Sequence, residues 1–158
     1  MNIKQICILP VLSLAACVST SLPKGYSGPT ANLKDSAQTH SNSKADLFCV
    51  TKIDDRNIAD SLTATLVGKQ GMGFILIPSI LERPLPAQPI TLELKARTVY
   101  AAPIQEMFGK VYTVSGTIPF RPKPNGAYIV KGKLGPEEQS IWIEDAETGS
   151  VVSEKISK

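Results

Sequence analysis

The chain has 158 residues, 17 basic and 14 acidic side chains, and a formal net charge of +3. This length fits one domain, and so small and scattered a charge excludes an electrostatic nucleic-acid binder. The single histidine, His40, lies away from any fixed partner in the sequence pattern, which excludes histidine triads and two-histidine zinc motifs.

The amino terminus has the pattern of a secretory signal peptide. Lys4 supplies positive charge, and the apolar run over residues 6–16 falls short of the roughly 20 residues of a transmembrane helix. The run ends in Leu14-Ala15-Ala16-Cys17, which resembles the lipobox of bacterial lipoproteins. The resemblance implies a signal peptide over residues 1–16 and a diacylglycerol thioether on Cys17, a palmitate-type anchor that holds a protein at the membrane.

The lipid on Cys17 is predicted to hold the protein in the cell envelope. Val18 stands where an aspartate resembles an inner-membrane retention signal, which favours the outer membrane, facing the periplasm or the surface. Residues 17–44 are predicted to form the lipidated cysteine and a flexible, disordered tether, because small and polar residues dominate without periodicity. The folded domain is then predicted to span residues 45–158.

After Ala45 the pattern takes a period of two, which is typical of β-strands. Strands are predicted near residues 47–53, 73–77, 90–97, 111–120, 127–134, 140–144 and 151–156. Residues 62–67 fit either a strand or a helix capped by Asp60. Seven or eight short strands predict an all-β fold, a two-sheet antiparallel β-sandwich with one short helix.

Three details refine the strand assignment. Residues 90–97 alternate between apolar and polar side chains, which predicts a sheet with one solvated face. Pro119 cannot donate a backbone hydrogen bond, which favours an edge position for its strand. Asn125-Gly126 predicts a hairpin that joins residues 111–120 to 127–134, because both residues tolerate positive φ.

The short helix is predicted over residues 103–108. Proline suits the first helical position, where Pro103 lies, and glycine suits the position after the last turn, where Gly109 lies. Ile104, Met107 and Phe108 form one apolar stripe. The preferred interpretation is a plug buried against the open end of the sandwich, and the alternative is an exposed, partner-binding knob.

Two further side chains have competing interpretations. Cys49 lies in an apolar strand pattern and is predicted to be a buried, small hydrophobic residue, with a reactive thiol as the alternative. Trp142 lies between Ile141 and Ile143, and a core position is favoured over a role as a binding anchor.

The acidic residues lie beside predicted turns. Adjacent acids on a strand point to opposite faces of the sheet, so they do not make an acid/base pair. Asp145, Glu147 and Thr148 fit a turn, with a weak calcium site as the alternative. Glycines at 68, 71 and 73 lack the spacing of a phosphate cradle. We therefore predict no catalytic residue, no metal site and no cofactor.

The domain resembles small proteobacterial lipoproteins that have no assigned activity. The resemblance is carried by Gly25-Tyr26-Ser27-Gly28-Pro29, Tyr100-Ala101-Ala102-Pro103-Ile104 and Ile141-Trp142-Ile143-Glu144-Asp145. It implies localisation and fold but no functional residue. The predicted function is a membrane-anchored, non-catalytic binding or accessory module for an envelope protein or polymer. A structural or surface-exposed envelope lipoprotein and a carboxylate-based, glycan-active enzyme are the alternatives.

Overall fold

Residues 20–158 are described by the computed structural model of this chain. The predicted signal peptide over residues 1–16 and the predicted lipid site at Cys17 lie outside these residues, so both stay predictions. From residue 20 to residue 158, no helix combines the length and the apolar character that crossing a bilayer requires.

The described chain is mostly β-structure, with two five-stranded sheets and two short helices. In chain order the elements are β1 (Thr30–Lys34), β2 (Ser36–Ser41), β3 (Lys44–Ile53), β4 (Arg56–Asn57), α1 (Ser61–Gly68), β5 (Glu82–Pro86), β6 (Ile90–Tyr100), α2 (Pro103–Phe108), β7 (Thr113–Phe120), β8 (Ala127–Leu134), β9 (Gln139–Asp145) and β10 (Ile156–Ser157). The first sheet has the order β10-β9-β8-β1-β5, and the second has the order β2-β3-β6-β7 with β4 paired to β3.

The predicted fold class is confirmed at the level of a mostly β fold with two sheets, and corrected in its details. The described residues form ten strands and a second helix, where seven or eight strands and one helix were expected. The first sheet is mixed, since β1 runs parallel to β8 and antiparallel to β5. β1 lies in this sheet between β5 and β8, two strands that come later in the chain, and it comes from the segment that was predicted to be a tether.

One hydrophobic core lies between the two sheets. On β6, Ile90, Leu92 and Leu94 are buried while the alternating Thr91 and Glu93 face outward, so the predicted alternation is confirmed. Part of the outward face of this sheet is covered by α1. The first sheet contributes Leu33, Leu85, Tyr128, Val130, Ile141 and Ile143 to the same core. The period of two along each strand separates the buried face from the wet face.

The predicted tether over residues 17–44 is wrong from Thr30 onward. Residues 30–34 and 36–41 are β1 and β2, and Ala31 and Leu33 are buried in the core between the sheets. The domain therefore begins before residue 45. Composition misled the prediction because β1 obtains its hydrogen bonds and its apolar contacts from β5 and β8, which lie far along the chain.

Asp35 marks the point where the chain passes from one sheet to the other, between β1 and β2. Its buried carboxylate accepts two hydrogen bonds from the buried Arg83 guanidinium, at 2.9 and 2.6 Å. It also accepts from the backbone N–H of Val50 and from both the N–H and the hydroxyl of Ser61. One ion pair thus connects β3, β5 and the start of α1 to the strand switch.

Helix α1 covers the outer face of the second sheet. The helical alternative for residues 62–67 is confirmed, and Asp60 caps the helix by accepting from the N–H of Thr63 at 2.9 Å. Leu62 packs with Leu47 and Cys49 of β3 in a second, smaller core. The predicted strand over 73–77 is wrong, because this segment is a loop whose buried member, Leu76, joins that core.

Asn125-Gly126 does not form the predicted hairpin. Asn125 has a φ of 59°, so the local turn is present, but β7 and β8 belong to different sheets. The turn therefore carries the chain from the second sheet to the first, where β8 pairs with β9 and β1. Pro119 lies on β7 at the edge of the second sheet, as its missing N–H predicted.

Candidate functional site

Exposed apolar side chains lie on two segments that meet at one groove, which Phe74 and Pro103 line. One segment is α2, and the other is the loop between α1 and β5. We call the set the α2 surface; it comprises Met72, Phe74, Ile75, Ile77, Ile104, Met107 and Phe108. Phe108 and Met107 are 84% and 76% exposed, so most of the area of both side chains is in contact with water. Such a patch on a monomer is typical of an interaction site.

Local sequence explains why α2 forms where it does. Pro103 opens the helix, and the Gln105 side chain accepts a hydrogen bond from the N–H of Ala102 at 3.1 Å. The N–H of Gly109 closes the last turn on the carbonyl of Gln105. A side chain at position 109 would collide with the ring of Tyr100, so glycine is required there by close packing.

The predicted plug is wrong, although the helix itself is confirmed over residues 103–108. No residue of α2 is buried, and Ile104, Met107 and Phe108 all face solvent. The physical reason is that the core between the sheets is filled by strand residues, while α2 is attached to β6 by a polar contact. Arg97 of β6 binds Glu106 of α2 at 2.5 Å, which leaves the apolar stripe outward.

A shallow groove of about 530 Å³ lies between the two segments of the α2 surface. Phe74 and Pro103 line it from opposite segments, so the loop and the helix meet here. Lys69 also lines the groove, and its ammonium donates to the carbonyl of Tyr100 at 2.8 Å. The ammonium of Lys44 lies 5.6 Å from the centre of the Tyr100 ring. The groove therefore has apolar walls and a basic margin.

Cys49 is buried, as predicted, and forms no disulfide within residues 20–158. Its sulfur lies 3.4 Å from the carbonyl of Lys95. Burial, with a smaller contribution from the carboxylates of Asp35 and Asp60, raises the pKa of the Cys49 thiol. A protonated, enclosed thiol is a poor nucleophile, so the geometry favours the packing role over the reactive one.

His40 does have a fixed partner, contrary to the prediction. Its Nε2 lies 2.7 Å from Oδ2 of the buried Asp46, whose Oδ1 accepts from the hydroxyl of Thr98 at 2.6 Å. The sequence pattern missed the pair because residues 17–44 were assigned to a tether. A bulge in β2 between Thr39 and Ser41 accompanies the pairing of β2 with β3.

The acidic residues that were candidates for calcium or for acid/base chemistry have local partners. Asp145 accepts from the N–H groups of Glu147 and Thr148, which lowers the pKa of its carboxyl and fits the predicted turn. Lys155, Lys133 and Ser140 bind Glu138 and lower its pKa to about 2. Across the described part of the chain, metal-ligating side chains do not come together in groups of three or more.

Trp142 is half-buried on the outer face of β9, so the predicted core position is wrong. Its indole N–H donates to Glu144 at 2.7 Å, and the ammonium of Lys155 lies 4.8 Å from the ring centre. The period of two explains the result, because its neighbours Ile141 and Ile143 take the two inward positions.

Fold and site together define a mostly β domain of two five-stranded sheets that exposes an apolar, basic-edged surface at one end. Comparisons with protein-family models, with curated proteins and with solved structures found no match for this chain.

Proposed function

We propose that this chain is a lipid-anchored lipoprotein of the bacterial envelope, seated in the outer membrane, whose two-sheet sandwich is a non-catalytic binding or accessory module. The α2 surface is the observation that carries the binding role. The lipobox match at Cys17 supports the anchor. A module of this kind needs a stable scaffold and an exposed contact surface, and it needs no reacting groups.

The exposure of the α2 surface supports binding because it is costly in a free protein. Seven apolar side chains on two segments remain in water, although burial of apolar area is favourable by about 25 cal/mol per Å². The loop is anchored by the buried Leu76 and α2 by the Arg97–Glu106 pair, so the exposed side chains themselves do not hold their segments in place. Contact with an envelope component would remove this area from water, and large apolar side chains often dominate such contacts.

We expect Phe108→Ala to leave the domain stable and to weaken binding. Phe108 is 84% exposed, so the free energy of unfolding in urea should change by no more than about 0.5 kcal/mol. Phe120→Ala is the matched control, because the ring of Phe120 is buried edge-on against Tyr128, and the loss there should be about 3–5 kcal/mol.

Binding is measured in living cells by photocrosslinking, with a photoreactive residue at position 107. We expect crosslinked products that Phe108→Ala depletes. A loss of more than about 2 kcal/mol from Phe108→Ala, or crosslinks that the change leaves untouched, would contradict a binding role for this surface.

We expect Cys17→Ser to abolish lipid attachment and release the protein from the membrane fraction. The reason is that the Cys17 thiol is the acceptor of diacylglycerol in the proposed processing. The measurement is metabolic labelling with palmitate, followed by fractionation of the envelope. Cys49→Ser is the control and should keep its label, because Cys49 is buried. Undiminished labelling of the Cys17→Ser protein would refute the anchor.

A further inference from the structure

We propose that the α2 surface docks on an anionic lipid bilayer, as a second membrane contact beside the acyl anchor. This inference rests on the proposed function, since it names the partner of the same surface. Three features of the described residues lead to it: the composition of the surface, the distribution of charge around it, and its position relative to Thr20.

The α2 surface has the composition of an interfacial membrane contact. Phe74 and Phe108 are 64% and 84% exposed and come from two separate segments that meet at the groove. Around them the exposed side chains are Met72, Ile75, Ile77, Ile104 and Met107. Protruding aromatic and aliphatic side chains of this kind enter the boundary between headgroups and acyl chains, where apolar area is buried while polar neighbours stay wet.

The charges around the surface are one-sided. Residues 61–81, which include α1 and the loop, contain no Asp or Glu. Glu106 is the acid of α2, and Arg97 neutralises it. The ammonium groups of Lys44 and Lys69 lie beside Tyr100 at the base of α2, and the exposed Lys110 follows the helix, where its carbonyl accepts from the Tyr100 hydroxyl. None of the ion pairs within residues 20–158 engages these three lysines. A basic margin around an apolar patch is complementary to anionic headgroups.

The position of Thr20 fixes how the two membrane contacts are spaced. Arg56, which pairs with Ile53 at one end of β3, donates to the carbonyl of Thr20 at 3.3 Å. The other end of β3 pairs with Tyr100, directly before α2. The ten residues of β3 span about 30 Å, whereas Cys17 lies within about 11 Å of chain from Thr20. Two contacts at opposite ends of β3 would hold the domain on its side, with this strand along the membrane.

The test measures how much protein sediments with lipid vesicles. The protein is the chain from residue 17 onward with the substitution Cys17→Ser, so that no acyl chain contributes to binding. This chain keeps every described strand and both cores. The probes are vesicles of phosphatidylethanolamine with phosphatidylglycerol at about 3:1, and matched vesicles with phosphatidylcholine in place of phosphatidylglycerol. We expect binding to the anionic vesicles that weakens in high salt, because screening reduces the attraction of exposed charges.

Paired variants identify the surface. Lys110→Glu changes the local charge by two and should reduce binding about twenty-five-fold, at about fivefold per charge. Phe108→Ser should reduce it by about tenfold or more. Lys123→Glu and Val151→Ser are the controls, because both residues are exposed and neither lies on the two segments of the α2 surface. Lys123 shares a groove with Gln88 and Pro89, at the end of β6 opposite Tyr100. Urea unfolding of each variant separates loss of binding from loss of fold.

Equal binding to both vesicle types, or binding that Phe108→Ser and Lys110→Glu leave unchanged, would overturn the inference. A protein crosslinked at position 107, together with no vesicle binding, would overturn it as well while leaving the binding module intact. Undiminished palmitate labelling of the Cys17→Ser protein would refute the anchor alone, so the two proposals fail separately.

Discussion

A chain that begins at Ala45 is expected to remain unfolded, whereas a chain that begins at Thr20 folds cooperatively. The shorter chain lacks β1, which lies inside the first sheet between β5 and β8, and β2, which borders the second sheet. Loss of β1 would leave the hydrogen-bonding edges of β5 and β8 unpaired and remove Ala31 and Leu33 from the core. The shorter chain also lacks Asp35. Far-ultraviolet circular dichroism and urea titration of the two chains measure the difference.

A single substitution checks the same point without deletion. Leu33 on β1 is fully buried, so Leu33→Ala should lower the free energy of unfolding by about 2–5 kcal/mol. Its neighbour Asn32 is exposed on the same strand, and Asn32→Ala should change the free energy of unfolding by about 0.5 kcal/mol or less. A cooperative transition of normal size for the chain that begins at Ala45 would show that residues 20–44 are dispensable.

Breaking the Asp35–Arg83 pair is expected to have the other large effect. Asp35→Ala leaves the Arg83 guanidinium buried without its partner and removes the acceptor of the Val50 and Ser61 N–H groups. Loss of one member of a buried ion pair costs about 3–5 kcal/mol, because the remaining charge has neither water nor a counter-ion. Urea unfolding with an unchanged slope measures the loss.

Arg97→Gln is the matched control for the ion pair. The Arg97–Glu106 pair is also an arginine–carboxylate pair, but it has one contact where Arg83 has two, and both side chains are about one-third exposed. Its loss should therefore cost no more than about 1 kcal/mol. The double variant Asp35→Ala with Arg83→Met should recover part of the stability, since it removes the unpaired charge. Equal losses from Asp35→Ala and Arg97→Gln would contradict the role of Asp35 at the strand switch.

Local features of the fold were predictable from the sequence alone. Helix α2 begins at Pro103 and ends before Gly109, as the pattern indicated, because a fixed φ and a helix-ending glycine act within a few residues. The alternation on β6 gave its buried face, and Asp60 gave the start of α1. In each case the residues that decide the conformation are neighbours along the chain.

Tertiary structure decided everything that depends on a distant partner. The polar composition of residues 30–41 predicted a tether. β1 becomes a strand only because β5 and β8 supply its hydrogen bonds and its apolar contacts. The turn at Asn125-Gly126 was local, but which strands it joins was not. The apolar stripe of α2 faces outward because Arg97 holds Glu106 and the core is already full. A helical pattern determines which side chains share a face, and only the packing around it determines whether that face meets protein or solvent.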